Sequence, residues 1–210
     1  MEQLQDLLKN YNRKQIADFS DSSWANQYCE EVFPSYWKYV FAIAYSLPKT
    51  LRIVEIGAGY GFVTSIFIYL RFLNITGFEQ DFETADTGNR YIKDLFGAKH
   101  VIKPIKFKNQ NIDADVLLLV NCAYSDGCTT KEEYKNRLIH YFKQAGCPQY
   151  YILEVIDDSY VEKNDEFPMN IRLNRRDIEN MFLNSKIQFW RTYQYPRHEK
   201  SKTLYLIETT

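Results

Sequence analysis

Three glycines stand at alternate positions, Gly57, Gly59 and Gly61, between one apolar run, LRIVEI, and another, GFVTSIFIYLRFL. Glycine there lets the chain turn sharply, and lets a ligand reach the backbone at a helix N-terminus without meeting a Cβ. Taken alone, the pattern serves NAD, FAD or a purely structural turn. The G-x-G-x-G spacing departs from the G-x-G-x-x-G of a dinucleotide fingerprint. Glu55 lies two residues before the first glycine. A pyrophosphate gains nothing from an anion there, whereas a ligand with a cationic amino group does. Glu79 closes the next apolar run, ITGFE, about where a carboxylate can accept hydrogen bonds from both hydroxyls of a ribose.

The segment Glu55-Ile56-Gly57-Ala58-Gly59-Tyr60-Gly61 resembles motif I of class I S-adenosylmethionine-dependent methyltransferases, and ITGFEQD resembles their second motif. The resemblance implies S-adenosylmethionine as cofactor, with Gly57, Ala58, Gly59 and Gly61 cradling its methionine part. It implies that Glu55 serves the amino group through a short hydrogen-bond network, that Glu79 serves the ribose, and that Gln80 lies over the adenine. It also implies that the methyl acceptor arrives near the end of the fourth strand, where the chain reads LLLVNCAYSDGCTT. Asn121, at that strand end, joins the residues expected to bind the cofactor.

Methyl transfer to a hydroxyl needs orientation and a general base. Asp126, close behind the strand end, is the first candidate; its alternative is a turn role, since S-D-G is strong turn chemistry. Tyr124 would shape the pocket or orient the acceptor. His140 is a second candidate base, although a mid-helix histidine beside Ile139 and Phe142 also reads as packing or surface. His100 and His198 flank strands and carry no assigned role. Asn121 and Tyr124 occupy the outer positions of an N/D-P-P-Y/F motif whose prolines are replaced by Cys122 and Ala123. That departure argues against the enzymes that methylate amino groups of DNA bases and glutamine. NCAYSD, KEEYKNRLIHYF and YYILEV together resemble a segment of bacterial proteins assigned as sugar O-methyltransferases, over about residues 50 to 160.

The expected reaction is therefore methyl transfer to a small molecule, at a hydroxyl of a sugar or sugar-containing intermediate. The alternatives are N- or carboxyl-methylation of a small molecule, or a noncatalytic interaction protein that keeps the fold. Asp157 and Asp158 would suit Mg²⁺ against a vicinal diol. Adjacent aspartates point in different directions, however, and capping is their commoner role, so no metal is expected. Arg172, Arg175 and Arg176 head a basic stretch that would meet a phosphate on a phosphorylated or nucleotide-linked acceptor, or else form a solvated surface.

These residues need a frame. From residue 51 apolar runs alternate with helical patterns: LRIVEI, ITGFE, HVIKPIKF, DVLLLVN and YYILEVI as strands, with helices between them. Pro104 weakens the third strand and suggests an edge or a strand end there. Two final strands, KIQFWRTYQY and KTLYLIETT, are separated only by PRHEKS and predict an antiparallel hairpin. The expectation is an α/β, Rossmann-like, seven-stranded, mainly parallel sheet with a terminal antiparallel hairpin. Residues 1–50 read as an N-terminal helical extension, with helices around Leu4, Leu7 and Leu8, before Pro34, and over SYWKYVFAIAYSL. It is expected to act as a lid on a methyltransferase domain at 51–210, Trp24 and Tyr28 closing over the pocket or packing as core.

Composition sets the outer bounds. The chain has 210 residues, enough for one domain with a sizeable core, and a formal net charge of −1, so no global field draws it to nucleic acid or an anionic membrane. Neither partner is expected. Four cysteines, Cys29, Cys122, Cys128 and Cys147, form no C-x-x-C pair or zinc-like spacing, as in a reduced cytoplasmic protein. Aromatic residues reach 16%, which fits either an aromatic-lined pocket or an AT-rich genome.

Overall fold

Seven strands form one sheet in the spatial order β3-β2-β1-β4-β5-β7-β6. The computed structural model describes residues 1–15, 23–30, 32–107, 112–160, 167–193 and 202–209, apart from the side chains of Ser23 and Trp24. The strands are β1 (Arg52–Ile56), β2 (Asn74–Phe78), β3 (Ile102–Lys103), β4 (Val116–Leu119), β5 (Tyr150–Ile156), β6 (Lys186–Thr192) and β7 (Lys202–Glu208). The first five pair in parallel, and β7 runs antiparallel between β5 and β6. The expected mainly parallel sheet with its terminal hairpin is therefore present. β3 has only two residues, because Pro104 follows at once and cannot donate to a ladder.

Side chains alternate between two cores. One face of the sheet presents Ile53, Val116, Leu118, Ile152 and Leu204 to one apolar cluster. The other presents Val54, Ile56, Leu117, Leu119, Leu153 and Tyr205 to a second cluster, with Tyr134 and Leu138 of α6 (Lys131–Gln144) and Ile178 of α7 (Arg175–Met181). Strands buried on both faces explain why β4 reads as an unbroken apolar run and β5 as one interrupted only by Glu154. The N-terminal helices join the first cluster. Leu4 and Leu8 of α1 (Glu2–Lys14) and Trp37, Val40 and Ala44 of α3 (Ser35–Ser46) are fully buried there, while Leu7 is exposed. The short α2 (Ser23–Asn26) leads to Tyr28.

Helix ends follow local chemistry. Asp81 caps α5 (Phe82–Phe96) by accepting from the Thr84 N–H, and Gly97 closes that helix in the left-handed region. Thr130 with Glu133, and Asn174 with Asp177, form capping boxes on α6 and α7. The helix expected over GFVTSIFIYLRFL is shorter than the pattern suggests: α4 spans Thr64–Tyr69. Gly61 at φ +80° keeps the chain out of the helix before it, and Arg71 at φ +68° turns the chain out of it afterwards.

Gly88 marks a tight contact in this frame. A Cβ there would lie 3.0 Å from the Tyr60 backbone and 2.7 Å from Ile102 Cδ1. Alanine gains about 1 kcal/mol of helix propensity over glycine, but overpacking costs about 1–3 kcal/mol, and here the neighbour is backbone that cannot swing away. Gly88→Ala should therefore lower stability, and a raised urea midpoint for that variant would show the contact to be looser than described.

Candidate active site

β1 ends at Ile56, and the chain turns through Gly57, Gly59 and Gly61, at φ +66°, +53° and +80°. At Gly57 space adds to conformation: a Cβ would sit 2.7 Å from Cys122 Cβ and 2.8 Å from its sulfur. The Cys122 thiol donates to the Ile56 carbonyl at 3.0 Å. The loops after β1 and β4 thus lie against each other with only the Cys122 side chain between them. Beside them opens a cavity of about 390 Å³, which Glu55, Ile56, Gly57, Ala58, Gly59, Glu79, Gln80 and Asn121 all line.

The two glutamates of the motifs are held differently. Glu79 accepts from the Gly59 N–H at Oε2 and from the Asp81 N–H at Oε1, both at 3.0 Å, so two fixed donors set its carboxylate at the cavity wall. Glu55 is only 1% exposed and accepts from the Thr64 hydroxyl. Burial pushes its carboxyl up to about 8, with Glu79 nearby adding to the rise.

At the end of β4, Asn121, Ala123 and Asp126 take positive φ, at +55°, +50° and +46°. What holds this uncommon backbone is a buried polar network. Glu154 of β5 is 0% exposed; its Oε2 accepts from the Asn121 N–H (3.1 Å) and the Tyr124 hydroxyl (2.6 Å), and its Oε1 from Thr192 (2.6 Å). Lys202 of β7, 3% exposed, donates to Tyr124 Oη at 2.6 Å and to Asn121 Oδ1 at 3.0 Å. Glu154 pairs with Leu204 across the ladder, so Lys202 is its diagonal neighbour on the same face. Tyr124 does not border the cavity; it stands behind Asn121 and fixes it.

Asp126 borders the cavity, but its Oδ2 accepts from Arg137 and from the Tyr141 hydroxyl (2.6 Å), and Lys106 lies 3.6 Å from Oδ1. To take a proton it would have to surrender an ion pair. His140 is exposed on α6 and does not line the cavity, and neither does His100. His198 and the side chain of Trp24 lie outside the described residues. Tyr28 is both core and wall: it is 2% exposed, stacks on Phe62 at 4.1 Å and lines the cavity. Its hydroxyl lies 2.6 Å from that of Tyr36, a lining residue that the helical pattern of α3 did not distinguish from ordinary core.

The basic stretch does not reach this cavity. Arg172 is buried and donates to the carbonyls of Phe167 (2.7 Å) and Tyr160 (2.9 Å), and Arg175 pairs with Glu179 at 2.6 Å. Neither they nor the exposed Arg176 line it, because Arg172 lies beyond β5 on the strap that leads into α7, and Arg175 and Arg176 open α7 itself. The structure does not bring them to the cavity, where Lys106 is the lining cation. Asp157 accepts from Ser159 N–H (2.8 Å) and the Thr203 hydroxyl (2.6 Å), and Asp158 from Asn174 (3.0 Å), so the adjacent carboxylates serve separate turns. Glu154 and Lys202 were missed by sequence reasoning. For Glu154 the available signal was a lone charge inside an apolar run, which a buried strand tolerates only with a partner; Lys202, at the head of its run behind a charged stretch, carried no such signal.

Neither a family model nor a curated protein sequence matches the chain. Solved structures do. Magnesium protoporphyrin IX methyltransferase (ChlM) from Synechocystis PCC 6803 with bound SAH superposes with a TM-score of 0.66 at 12% identity, covering 98% of this chain and 100% of that one. The methyltransferase domain of bacterial CtHen1-C gives 0.57 at 13% identity, covering 83% and 96%. A SAM-dependent methyltransferase from Aquifex aeolicus gives 0.52 at 11% identity, covering 82% and 89%. The chain has the S-adenosylmethionine-dependent methyltransferase fold. Likeness at this level concerns the fold, and within it the glycine loop, Glu79 and the β4 end stand together at the carboxyl ends of β1, β2 and β4, where open α/β sheets bind ligands.

The buried Glu55 carboxyl has a measurable consequence. It holds its proton to about pH 8 when folded, against 4.5 for a free glutamate, so the native state binds more protons across that window. The empty protein should lose stability as pH rises through it, by on the order of a few kcal/mol. Glu55→Gln keeps the neutral shape and should flatten the fall; denaturation curves at several pH values would check both.

Proposed function

We propose that this cavity binds S-adenosylmethionine and that the protein transfers its methyl group to an oxygen of a small acceptor. The sequence resemblance implies a sugar or sugar-containing acceptor. The observation that carries the reading is the placement of Glu55 and Glu79 on either side of one glycine loop, both facing the same cavity. When bound, the cofactor supplies a methyl group on a sulfonium, activated for in-line displacement.

The residues present fit that group. The loop at Gly57 and Gly59 presents backbone with no Cβ to obstruct it. Glu79, oriented by two N–H donors, keeps lone pairs for ribose hydroxyls. Glu55 can ionise against a cationic amino group, which offsets the cost of a charged carboxylate in a buried position. Gln80 and Asn121 border the remaining wall, and Tyr28 with Phe62 makes that wall apolar, which excludes water from the reacting atoms. Tyr124, Glu154 and Lys202 position Asn121 and touch no reacting atom themselves.

Titration calorimetry tests the reading. S-adenosylmethionine and S-adenosylhomocysteine should bind and NAD should not; binding of NAD in their place would point to a dehydrogenase, and binding of none would end every catalytic version. At neutral pH, facing a cation should make Glu55 give up its proton, so more protons should be released by the unmodified protein than by Glu55→Gln, read from the dependence of heat on buffer. Glu79→Ala should weaken the cofactor about tenfold or more.

A further inference from the structure

Tyr28 and Tyr36 come from the N-terminal helical segment; both residues line the cavity, and their hydroxyls lie 2.6 Å apart. Both side chains are at most 2% exposed. Two hydroxyls carry two protons, and one contact between them uses only one. Among the described residues neither oxygen has another partner, so one O–H donor is unspent. A buried donor without an acceptor is costly to keep, and buried hydroxyls at a cavity wall are normally satisfied by what the cavity holds. Burial, with Glu55 and Glu154 near, holds both phenols well above the usual tyrosine range, so they remain donors and do not act as bases.

We propose that the Tyr28–Tyr36 hydroxyl pair anchors the methyl acceptor and that the oxygen it holds belongs to a carboxylate. The inference rests on the methyl-transfer reading above and narrows its oxygen from a neutral hydroxyl to an anion. A neutral hydroxyl must lose a proton on methylation, and the lining carboxylates are all committed: Glu55 to Thr64, Glu79 to two backbone N–H groups, and Asp126 to Arg137 and Tyr141. Neither described histidine borders the cavity. A carboxylate arrives without the proton and brings lone pairs for the unspent donor. Its oxygen bonds to the methyl carbon as the carbon–sulfur bond breaks, the electron pair stays on sulfur, and a methyl ester forms with no proton moved. Anion and sulfonium become two neutral groups, a change that a poorly hydrated pocket favours.

The probe is benzoate, titrated into protein saturated with S-adenosylhomocysteine, with benzyl alcohol as its neutral counterpart. Benzoate should bind about tenfold or more tightly than the alcohol, and Tyr28→Phe and Tyr36→Phe should each weaken it about tenfold. Since either variant could fold poorly, the unmodified protein with ring-labelled tyrosine gives a second readout: benzoate should shift two tyrosine ζ-carbon resonances that benzyl alcohol leaves in place. Three results would overturn the inference while leaving the cofactor site intact: no benzoate binding to the saturated protein, equal binding of the alcohol, or unchanged tyrosine resonances on binding. Failure of S-adenosylhomocysteine itself to bind would instead sink the methyl-transfer reading on which it rests.

Discussion

The loops after β1 and β4 meet at Gly57 and Cys122, with no space for one more carbon atom between them. That contact follows from the strand order. β1 is the first strand to form a pair on each side, with β2 and with β4, and the chain crosses from one half of the sheet to the other beneath it. Helices cover opposite faces of the two halves, so the carboxyl ends of β1 and β4 diverge above the contact and leave a crevice. The glycine loop, Glu79 and Asn121 then need only short excursions from strand ends to face one another. A side chain at position 57 would push the two loops apart and widen the crevice at its base.

Two buried carboxyls border this region, and each meets the cost of burial by a different route. Glu55 has a threonine hydroxyl and retains its proton far into the neutral range. Glu154 accepts from a tyrosine, a threonine and a backbone N–H, and the Lys202 ammonium lies 4.0 Å away, so three hydrogen bonds and a nearby cation compensate it. A charge so fully satisfied is a structural tie: it joins β4's loop to β5, β6 and β7. A carboxyl whose donors are all neutral and come from Thr64 keeps a response in reserve, because a cation entering the crevice can change its protonation. One group makes the wall rigid and the other makes it responsive.

Much of the frame was legible in the sequence because its signals are local. Short apolar runs such as VLLL and YYILEVI, the second interrupted only by Glu154, read as strands buried on both faces, and a turn-sized gap between the last two runs reads as a hairpin. The glycine loop with Glu55 and Glu79 was legible for the same reason, since spacing along the chain sets it. What sequence could not supply is pairing between distant elements. The exposure of His140, the capture of Asp126 by Arg137 and the withdrawal of Arg172 into carbonyl contacts all depend on how α6 and the strap before α7 settle on the sheet. Tyr36 was hidden by its surroundings: in an apolar helix, one more aromatic looks like core until its hydroxyl meets another across eight residues.

The position of β7 carries a further consequence, for the order in which the molecule can be completed. β7 follows β6 in the chain yet lies between β6 and β5 in the sheet. During synthesis, every strand that borders the crevice leaves the ribosome before Lys202 does. Until then Glu154 has no cation, and Asn121 and Tyr124 lack the donor that holds them. The nascent chain can build the glycine loop early, but the β4 end must await the last strand to be threaded into the sheet. The two walls of the crevice, at the glycine loop and at the β4 end, would thus mature at different times, the second only as β7 enters the sheet between β5 and β6.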